Sequence, residues 1–279
     1  MTDRYAVFGN PVGHSLSPRI HALFAAQTGQ DIDYRAILAA REGFAAAVRA
    51  FIAAGGDPAR GANVTVPFKE DAFRLATRRT ARAAAAGAVN TLSFETDAII
   101  GDNTDGAGLV RDLENNLDCT PAGRRILLLG AGGAARGVIL PLLLEHPTEL
   151  VIANRTEANA SRLALEFGRL PGGAAGVKPV GTGFAGLAGR AFDLVINATS
   201  AGLGDAVLPV PTSVFAPRCL AYEMVYGRET PFMTQARATG ARVADGLGML
   251  VEQAAEAFFV WRGVRPRTAP VLAALRSTA

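Results

Sequence analysis

The sequence predicts an α/β protein of two domains, and three observations lead there. Short β-branched or apolar runs alternate with Ala/Leu/Arg stretches of helical period, the rhythm of strands and helices laid around a mostly parallel sheet. A length of 279 residues with 49% hydrophobic content supplies enough apolar surface for two cores. A second series of strands then opens near residue 125, with a glycine-rich turn of its own.

In the first part, YAVFG, DYRAIL, ANVTVPF and VNTLSFE have strand character, with helices over Pro18–Thr28 and Arg41–Ala54 between them. RILLLG, ELVIAN, GVKPVG, DLVINA and CLAYEMV form the second series. The Gly/Ala-rich segment Pro171–Gly189 interrupts it, and the β/α rhythm on either side makes that segment loops around a strand. The second series closes near VADG. A helical segment, LGMLVEQAAEAFFVW, still follows, with Leu247, Leu250, Val251, Ala254 and Phe258 at core-facing spacing. Gln253 shares a flank of that helix with Met249, Ala257 and Val260, and a buried amide there needs partners, a backbone carbonyl or a ligand hydroxyl.

Composition excludes several classes. The formal charge of +3 comes without a basic run interleaved with aromatics, which argues against nucleic acid. Cys119 and Cys219 are isolated, so neither a disulfide framework nor a metal site is expected. The opening MTDRYAVFGNP lacks the apolar core of a signal peptide. RILLLGAGGAARGVILPLLLE is interrupted by Arg136, Pro141 and glycines and does not resemble a membrane span. A cytoplasmic protein is expected, with a small-molecule substrate, no nucleic-acid or membrane partner, and a monomeric or homodimeric state between which the sequence does not choose.

The glycine-rich turn carries the first chemical signal. Gly130, Gly132 and Gly133 follow an apolar strand and precede an apolar helix, with Ala131 and Ala134 among them and Ala135 at the third position of the fingerprint. There glycines permit a tight turn and let backbone N–H groups approach a pyrophosphate at the helix N-terminus. The next strand ends at Asn154, 24 residues after Gly130, near where an NAD enzyme carries a carboxylate for the ribose 2′-hydroxyl. Asn154, Arg155 and Thr156 stand there instead. A cation with hydrogen-bond donors suits a 2′-phosphate, so NADP(H) is the expected cofactor. Asn154 and Thr156 also have the form of a cap for the following helix.

The second signal is a lysine. Among 28 basic residues only Lys69 and Lys178 are lysine, and Lys69 ends the run NVTVPFK. A lysine amine can give up and recover a proton where a guanidinium cannot, so Lys69 is either a proton-transfer residue or a solvated lysine at a helix start. In GNPVGHSLSPRIH, Ser17 before Pro18 has the form of an N-cap, while Ser15 and Ser17 together at a helix N-terminus also suit a small carboxylate. Asn90 in GAVNTL lies beside an apolar strand, and Asp105 in GDNTDG precedes a glycine turn and a helix, the position of a cap.

In order and spacing, GNPVGHSLSP, NVTVPFK, AGAVNT, GDNTDG, GAGGAARG, NRT, NATSAG and ADGLGMLVEQA resemble the shikimate dehydrogenase family over essentially the whole chain. The resemblance implies an N-terminal α/β substrate domain, residues 1–105 and 246–279, and a Rossmann-like NADP-binding domain, residues 106–245, with the C-terminal helices returning to the first. It implies interconversion of 3-dehydroshikimate and shikimate with NADPH. Lys69 and Asp105 then form the catalytic pair. Ser15 and Ser17 hold the substrate carboxylate, and Thr65, Asn90, Tyr226 and Gln253 contact the ring and its hydroxyls. Gly130, Ala131, Gly132, Gly133, Ala134, Asn154, Arg155, Thr156, Met224 and Gly246 line the cofactor.

Two departures stand out against the family pattern. Asn159 occupies a position where Arg or Lys is common, removing one expected grip on the 2′-phosphate. In YEMVYGRETPF, Glu223 replaces the usual Asp and the segment is one residue short before Thr230. The rivals are a quinate-active relative with NAD use, and a non-catalytic NADP-binding sensor, which has no need of Lys69 together with Asp105.

Overall fold

The computed structural model describes residues 2–170 and 176–277. The chain divides into two compact units, passing from the first to the second after Gly108 and returning after Leu250.

The first unit contains β1 (Asp3–Gly9), α1 (Ser17–Thr28), β2 (Ile32–Leu38), α2 (Phe44–Ala53), β3 (Ala59–Val64), α3 (Lys69–Leu75), β4 (Arg78–Arg79), α4 (Ala81–Ala86), β5 (Thr91–Phe94) and β6 (Ile99–Asp102). Its sheet runs β2-β1-β3-β5-β6-β4. β1 is parallel to β2 and β3, and β5 is antiparallel to β3 and β6. Ala6 and Phe8 of β1, Ala62 and Val64 of β3, and Leu92 of β5 point into a core closed by Phe44, Val48, Phe68 and Ala72. α5 (Asp105–Arg111) runs on into a π-helical turn at Asp112–Asn116, and the chain enters the second unit within α5.

The second unit contains β7 (Arg125–Leu129), α6 (Gly133–Leu144), β8 (Glu149–Ala153), α7 (Glu157–Phe167), β9 (Val180–Thr182), β10 (Phe192–Asn197), β11 (Phe215–Glu223), α8 (Pro231–Ala238) and β12 (Arg242–Ala244). Every pairing in its sheet is parallel, in the order β12-β11-β10-β7-β8-β9. That is the doubly wound Rossmann order, with the switch point between β7 and β10. Ile126, Leu127, Leu128 and Leu129 are all fully buried. A parallel strand covered by helices on both faces has this unbroken apolar run.

α9 (Leu247–Arg262) carries the chain back, and α10 (Ala269–Arg276) completes the first unit. The expected apolar stripe of α9 is broader than its spacing predicts: residues 251–258 are buried on all sides. Glu252 and Glu256 are tolerated there because Thr268 donates to Glu252 at 2.7 Å, while Arg82 and Arg265 pair with Glu256 at 2.9 Å each. No helix among the described residues is long and apolar enough to cross a membrane.

Several boundaries differ from the sequence expectation for local reasons. ANVTVPF leaves the sheet at Val64, before Pro67, which has no N–H for a ladder. CLAYEMV ends its strand at Glu223, releasing Met224 and Val225 into a loop. GVKPVG is a strand only from Val180, and the first residues of the Pro171–Gly189 segment lie outside the described residues. β4 and β6 are too short to announce themselves by periodicity.

Candidate active site

In the first unit a turn after β3 delivers Lys69. Phe68 is fully buried, stacks on Phe44 with ring centroids 5.0 Å apart, and gives its N–H to Thr65 O at 3.0 Å. Lys69 follows as the first residue of α3, and its carbonyl accepts from Val89 N–H at 2.9 Å. Asp105 opens α5, and its N–H is capped by the Asn103 side-chain oxygen at 3.1 Å. The two side chains meet with Lys69 Nζ 2.6 Å from Asp105 Oδ2. Lys69 keeps 32% of its side chain exposed and Asp105 14%, so the pair is held yet open to solvent.

Asn90 fixes the other carboxylate oxygen, its Nδ2 donating to Asp105 Oδ1 at 2.8 Å. The orientation of that amide is set from behind. Asn90 Oδ1 accepts from Thr104 N–H at 2.8 Å and from the Thr91 hydroxyl at 2.9 Å, which leaves Nδ2 facing Asp105. Gln253 joins the same cluster from α9: its Oε1 accepts from Asn90 Nδ2 at 3.3 Å and from the Thr104 hydroxyl at 3.4 Å.

Behind this cluster lies a layer that sequence reasoning missed. Asn63 donates to Asn90 O and to Thr91 Oγ1, both at 3.2 Å, and accepts from the Tyr34 hydroxyl at 2.7 Å. Packing pushes the Tyr34 phenol well above its ordinary range, with a hydrogen bond from Ser17 in partial opposition. His21, one turn after Ser17, is fully buried and stacks on Tyr34 at 4.2 Å. Neither ring nitrogen has a partner in good geometry, and burial drives its pKa down to about 3 against a smaller opposing effect of Asn63. Asn63, Thr91 and Thr104 stood inside quoted motifs, so polar residues flanking the named ones were the available signal. Tyr34 in DYRAIL gave none.

Ser17 is not an N-cap. α1 begins at Ser17 with Leu16 in the capping position, and the hydroxyl that accepts from Ser17 N–H, at 3.3 Å, belongs to Ser15. The Ser17 hydroxyl is thereby free of capping duty. Thr65, half-buried, gives its N–H to Phe8 O at 2.9 Å, beside the end of β1.

The second unit holds the remaining residues. Gly130 has φ +111°, and a Cβ there would lie 3.0 Å from Ala198 O, so only glycine makes this turn so close to the end of β10. Gly132, Gly133 and Ala134 are exposed, Ala131 is half-buried, and a Cβ on Gly132 or Gly133 would meet nothing within 4 Å. The first N–H groups of α6 therefore open onto free space at the switch point, a cradle that fits a pyrophosphate. Arg136, nearby, is committed to Glu166 and lies over the Phe167 ring. Arg155 is exposed and has no ion-pair partner among the described residues. Asn154 Nδ2 donates to Thr156 O at 3.0 Å, and the Thr156 hydroxyl makes no cap bond although Thr156 stands at the N-cap of α7. This set fits a ribose phosphate.

Two further loops border the switch point. Met224 N–H donates to Asn197 O at 3.1 Å, and Gly246 N–H to Val225 O at 3.1 Å. A Cβ on Gly246 would lie 2.1 Å from Met224 O, which excludes any other residue. Tyr226 is half-buried, and that burial raises its phenol pKa.

A Rossmann-ordered unit with a glycine cradle, and a unit that gathers a lysine–carboxylate pair among amides and hydroxyls, define a dinucleotide-dependent α/β oxidoreductase. Comparison with known proteins is more specific. Residues 7–92 match the shikimate dehydrogenase substrate binding domain, 113–202 the shikimate / quinate 5-dehydrogenase family, and 246–276 the shikimate 5'-dehydrogenase C-terminal domain. The chain is 62% identical over 280 residues to the shikimate dehydrogenase (NADP(+)) of Dechloromonas aromatica, covering 99% of this chain and 98% of that one. Among solved structures, an Ael1 enzyme from Pseudomonas putida superposes with a TM-score of 0.91 at 48% identity, covering 98% of each chain. The Thermus thermophilus shikimate 5-dehydrogenase in complex with NADP(H) and shikimate gives 0.85 at 33%, covering 100% of each. The chain belongs to the shikimate dehydrogenase family.

Proposed function

We propose that this protein catalyses the reversible NADP(H)-dependent interconversion of 3-dehydroshikimate and shikimate, a step of aromatic amino acid biosynthesis. The observation that carries the reading is the Lys69–Asp105 pair, held at 2.6 Å and still open to solvent. The first unit is assigned the substrate and the second the cofactor. The reading places the enzyme in the cytoplasm as a monomer or homodimer.

When bound, NADPH supplies a hydride to the ketone carbon. The protein residues must supply a proton and hold the substrate. Lys69 donates to the oxygen that becomes the alkoxide, and in the opposite direction takes that proton back. Asp105 holds the Lys69 ammonium and accepts from the same hydroxyl region, with its orientation fixed by Asn90. Ser15 and Ser17 bind the substrate carboxylate, while Thr65, Asn90, Gln253 and Tyr226 bind the ring hydroxyls. Gly130 to Ala134 take the pyrophosphate, Asn154, Arg155 and Thr156 the 2′-phosphate, and Met224 and Gly246 border the nicotinamide side.

A spectrophotometric assay with purified protein, shikimate and NADP+ tests this directly. Absence of cofactor reduction would overturn it. Asn159 favours a second reading with looser cofactor choice: it is exposed in the first turn of α7, where its N–H bonds Thr156 O at 3.0 Å, and it brings no second cation. Rates on shikimate and quinate with each cofactor separate the two.

A further inference from the structure

Glu223, the last residue of β11, is fully buried and belongs to none of the roles assigned above. Its carboxylate accepts from Asn197 Nδ2 at 2.7 Å, from the Thr230 hydroxyl at 2.9 Å and from Val225 N–H at 3.2 Å. All of these donors are neutral, and no basic side chain pairs with Glu223 among the described residues. Burial raises its pKa, with the same hydrogen bonds in opposition. Such a carboxylate is costly to bury, so its donors must be matched closely.

Those donors sit at structurally telling places. Val225 is the second residue of the loop after β11 and Thr230 its last, so one side chain holds both sides of the segment that carries Tyr226. The Thr230 hydroxyl also accepts from Met233 N–H at 3.3 Å as the N-cap of α8, so Glu223 fixes that rotor as well. Asn197 ends β10, and its Oδ1 accepts from the Thr199 N–H at 3.1 Å and hydroxyl at 2.7 Å. Thr199 Cγ2 in turn lies 3.3 Å from where a Gly130 Cβ would stand. The loops after β10 and β11 are thus tied together at the C-terminal end of the sheet, with the Gly130 turn after β7 packed beside Thr199.

Building on the proposed function, we propose that Glu223 is a positioning residue for the Met224–Thr230 loop, acting on the reaction only through Met224 and Tyr226. Both carboxylate oxygens are needed as acceptors. A glutamine would turn an N–H₂ group either toward Val225 N–H or toward Asn197 Nδ2, and Asn197 cannot flip because its own oxygen is already committed to Thr199.

The test is hydrogen exchange on the ligand-free full chain together with steady-state kinetics, for wild type, Glu223→Gln and Glu223→Asp. Expected for Glu223→Gln is exchange about tenfold faster confined to residues 224–233, with kcat lowered by about tenfold or more and KM for NADP+ changed by less than about threefold. Glu223→Asp, which keeps both acceptors but loses reach, should fall between. Thr230→Val cuts one tether only and should loosen the same segment, which keeps the question answerable if Glu223→Gln does not fold. Unchanged exchange in 224–233 overturns the tether. A loosened loop with unchanged kcat, or faster exchange spread through β7 and β10, overturns the positioning role. A wild type inactive on shikimate would remove the proposed function, while the ligand-free exchange still reads the tether.

Discussion

Lys69 Nζ lies 2.6 Å from Asp105 Oδ2, and the other oxygen of Asp105 is held at 2.8 Å by Asn90, so the carboxylate cannot rotate away from the lysine. In the proposed reaction Lys69 is the proton donor and Asp105 its anchor. Lys69→Ala should lower turnover by about 10²- to 10⁴-fold while NADPH affinity, measured by fluorescence titration, stays nearly constant. Lys69→Arg should be almost as slow, because a guanidinium can keep the ion pair and cannot release the proton. Turnover of either variant within about threefold of wild type would end the proton-transfer assignment.

Arg155 has no ion-pair partner among the described residues, in contrast to Arg136, which is committed to Glu166. The proposed function gives Arg155 the cofactor 2′-phosphate as its counter-charge. Arg155→Ala should weaken NADPH by about 1.5 to 3 kcal/mol, roughly 10- to 150-fold, and NADH far less, since only NADPH has a charge-assisted bond to lose. Asn159 sharpens the comparison because it supplies no neighbouring cation. Titration of both cofactors against both proteins decides it, and equal losses would make Arg155 a structural residue.

The legible and illegible parts of this molecule differ in physical kind. β7 and its glycine turn could be read because a doubly covered parallel strand is an unbroken apolar run and a tight turn demands glycine. Lys69 stood out against a background of arginine. β4, of two residues, and β6, of four, carry no period long enough to detect. The layer of Tyr34, Asn63, Thr91 and Thr104 was hidden for another reason: its order comes from contacts between strands far apart in sequence, as in the 29-residue separation of Tyr34 and Asn63. Ser-Pro is a good capping signal, yet α1 starts with Leu16 at its N-cap and no side-chain cap bond. Glu223 was visible only as an irregularity, and its meaning required the fold to bring Asn197 and Thr230 to it.

Gln253 Oε1 reaches the Asn90 cluster through contacts of 3.3 and 3.4 Å, both long for hydrogen bonds. Gln253→Ala should leave the melting temperature within a few degrees of wild type. Shikimate KM should rise by about tenfold, the worth of one well-placed neutral hydrogen bond, with NADP+ affinity unchanged. Kinetics with shikimate varied at saturating cofactor, beside a thermal melt, would show this. A loss of activity that tracks a large fall in melting temperature would return Gln253 to the core.

His21 links the packing of the first unit to pH. Its imidazole ordinarily titrates at 6.5, and burial lowers that to about 3 in the fold, where the ring is stacked on Tyr34 and packed by Phe24, Phe258 and Trp261. Between those two values the unfolded chain binds a proton that the native state refuses. Stability is therefore complete above about pH 6.5 and falls as pH drops toward 3, by up to about 1.4 kcal/mol per pH unit from this group. Asp102 contributes in a different window: burial would raise its pKa, but Arg82 and Thr80 hold it below its ordinary 3.8, so its share is lost only in stronger acid. His21→Phe keeps an aromatic ring in the stack and removes the titration. Melting temperatures of wild type and variant between neutral pH and about pH 4.5 should diverge, with the variant the flatter of the two. Parallel curves would show that the native imidazole accepts a proton as readily as the unfolded one.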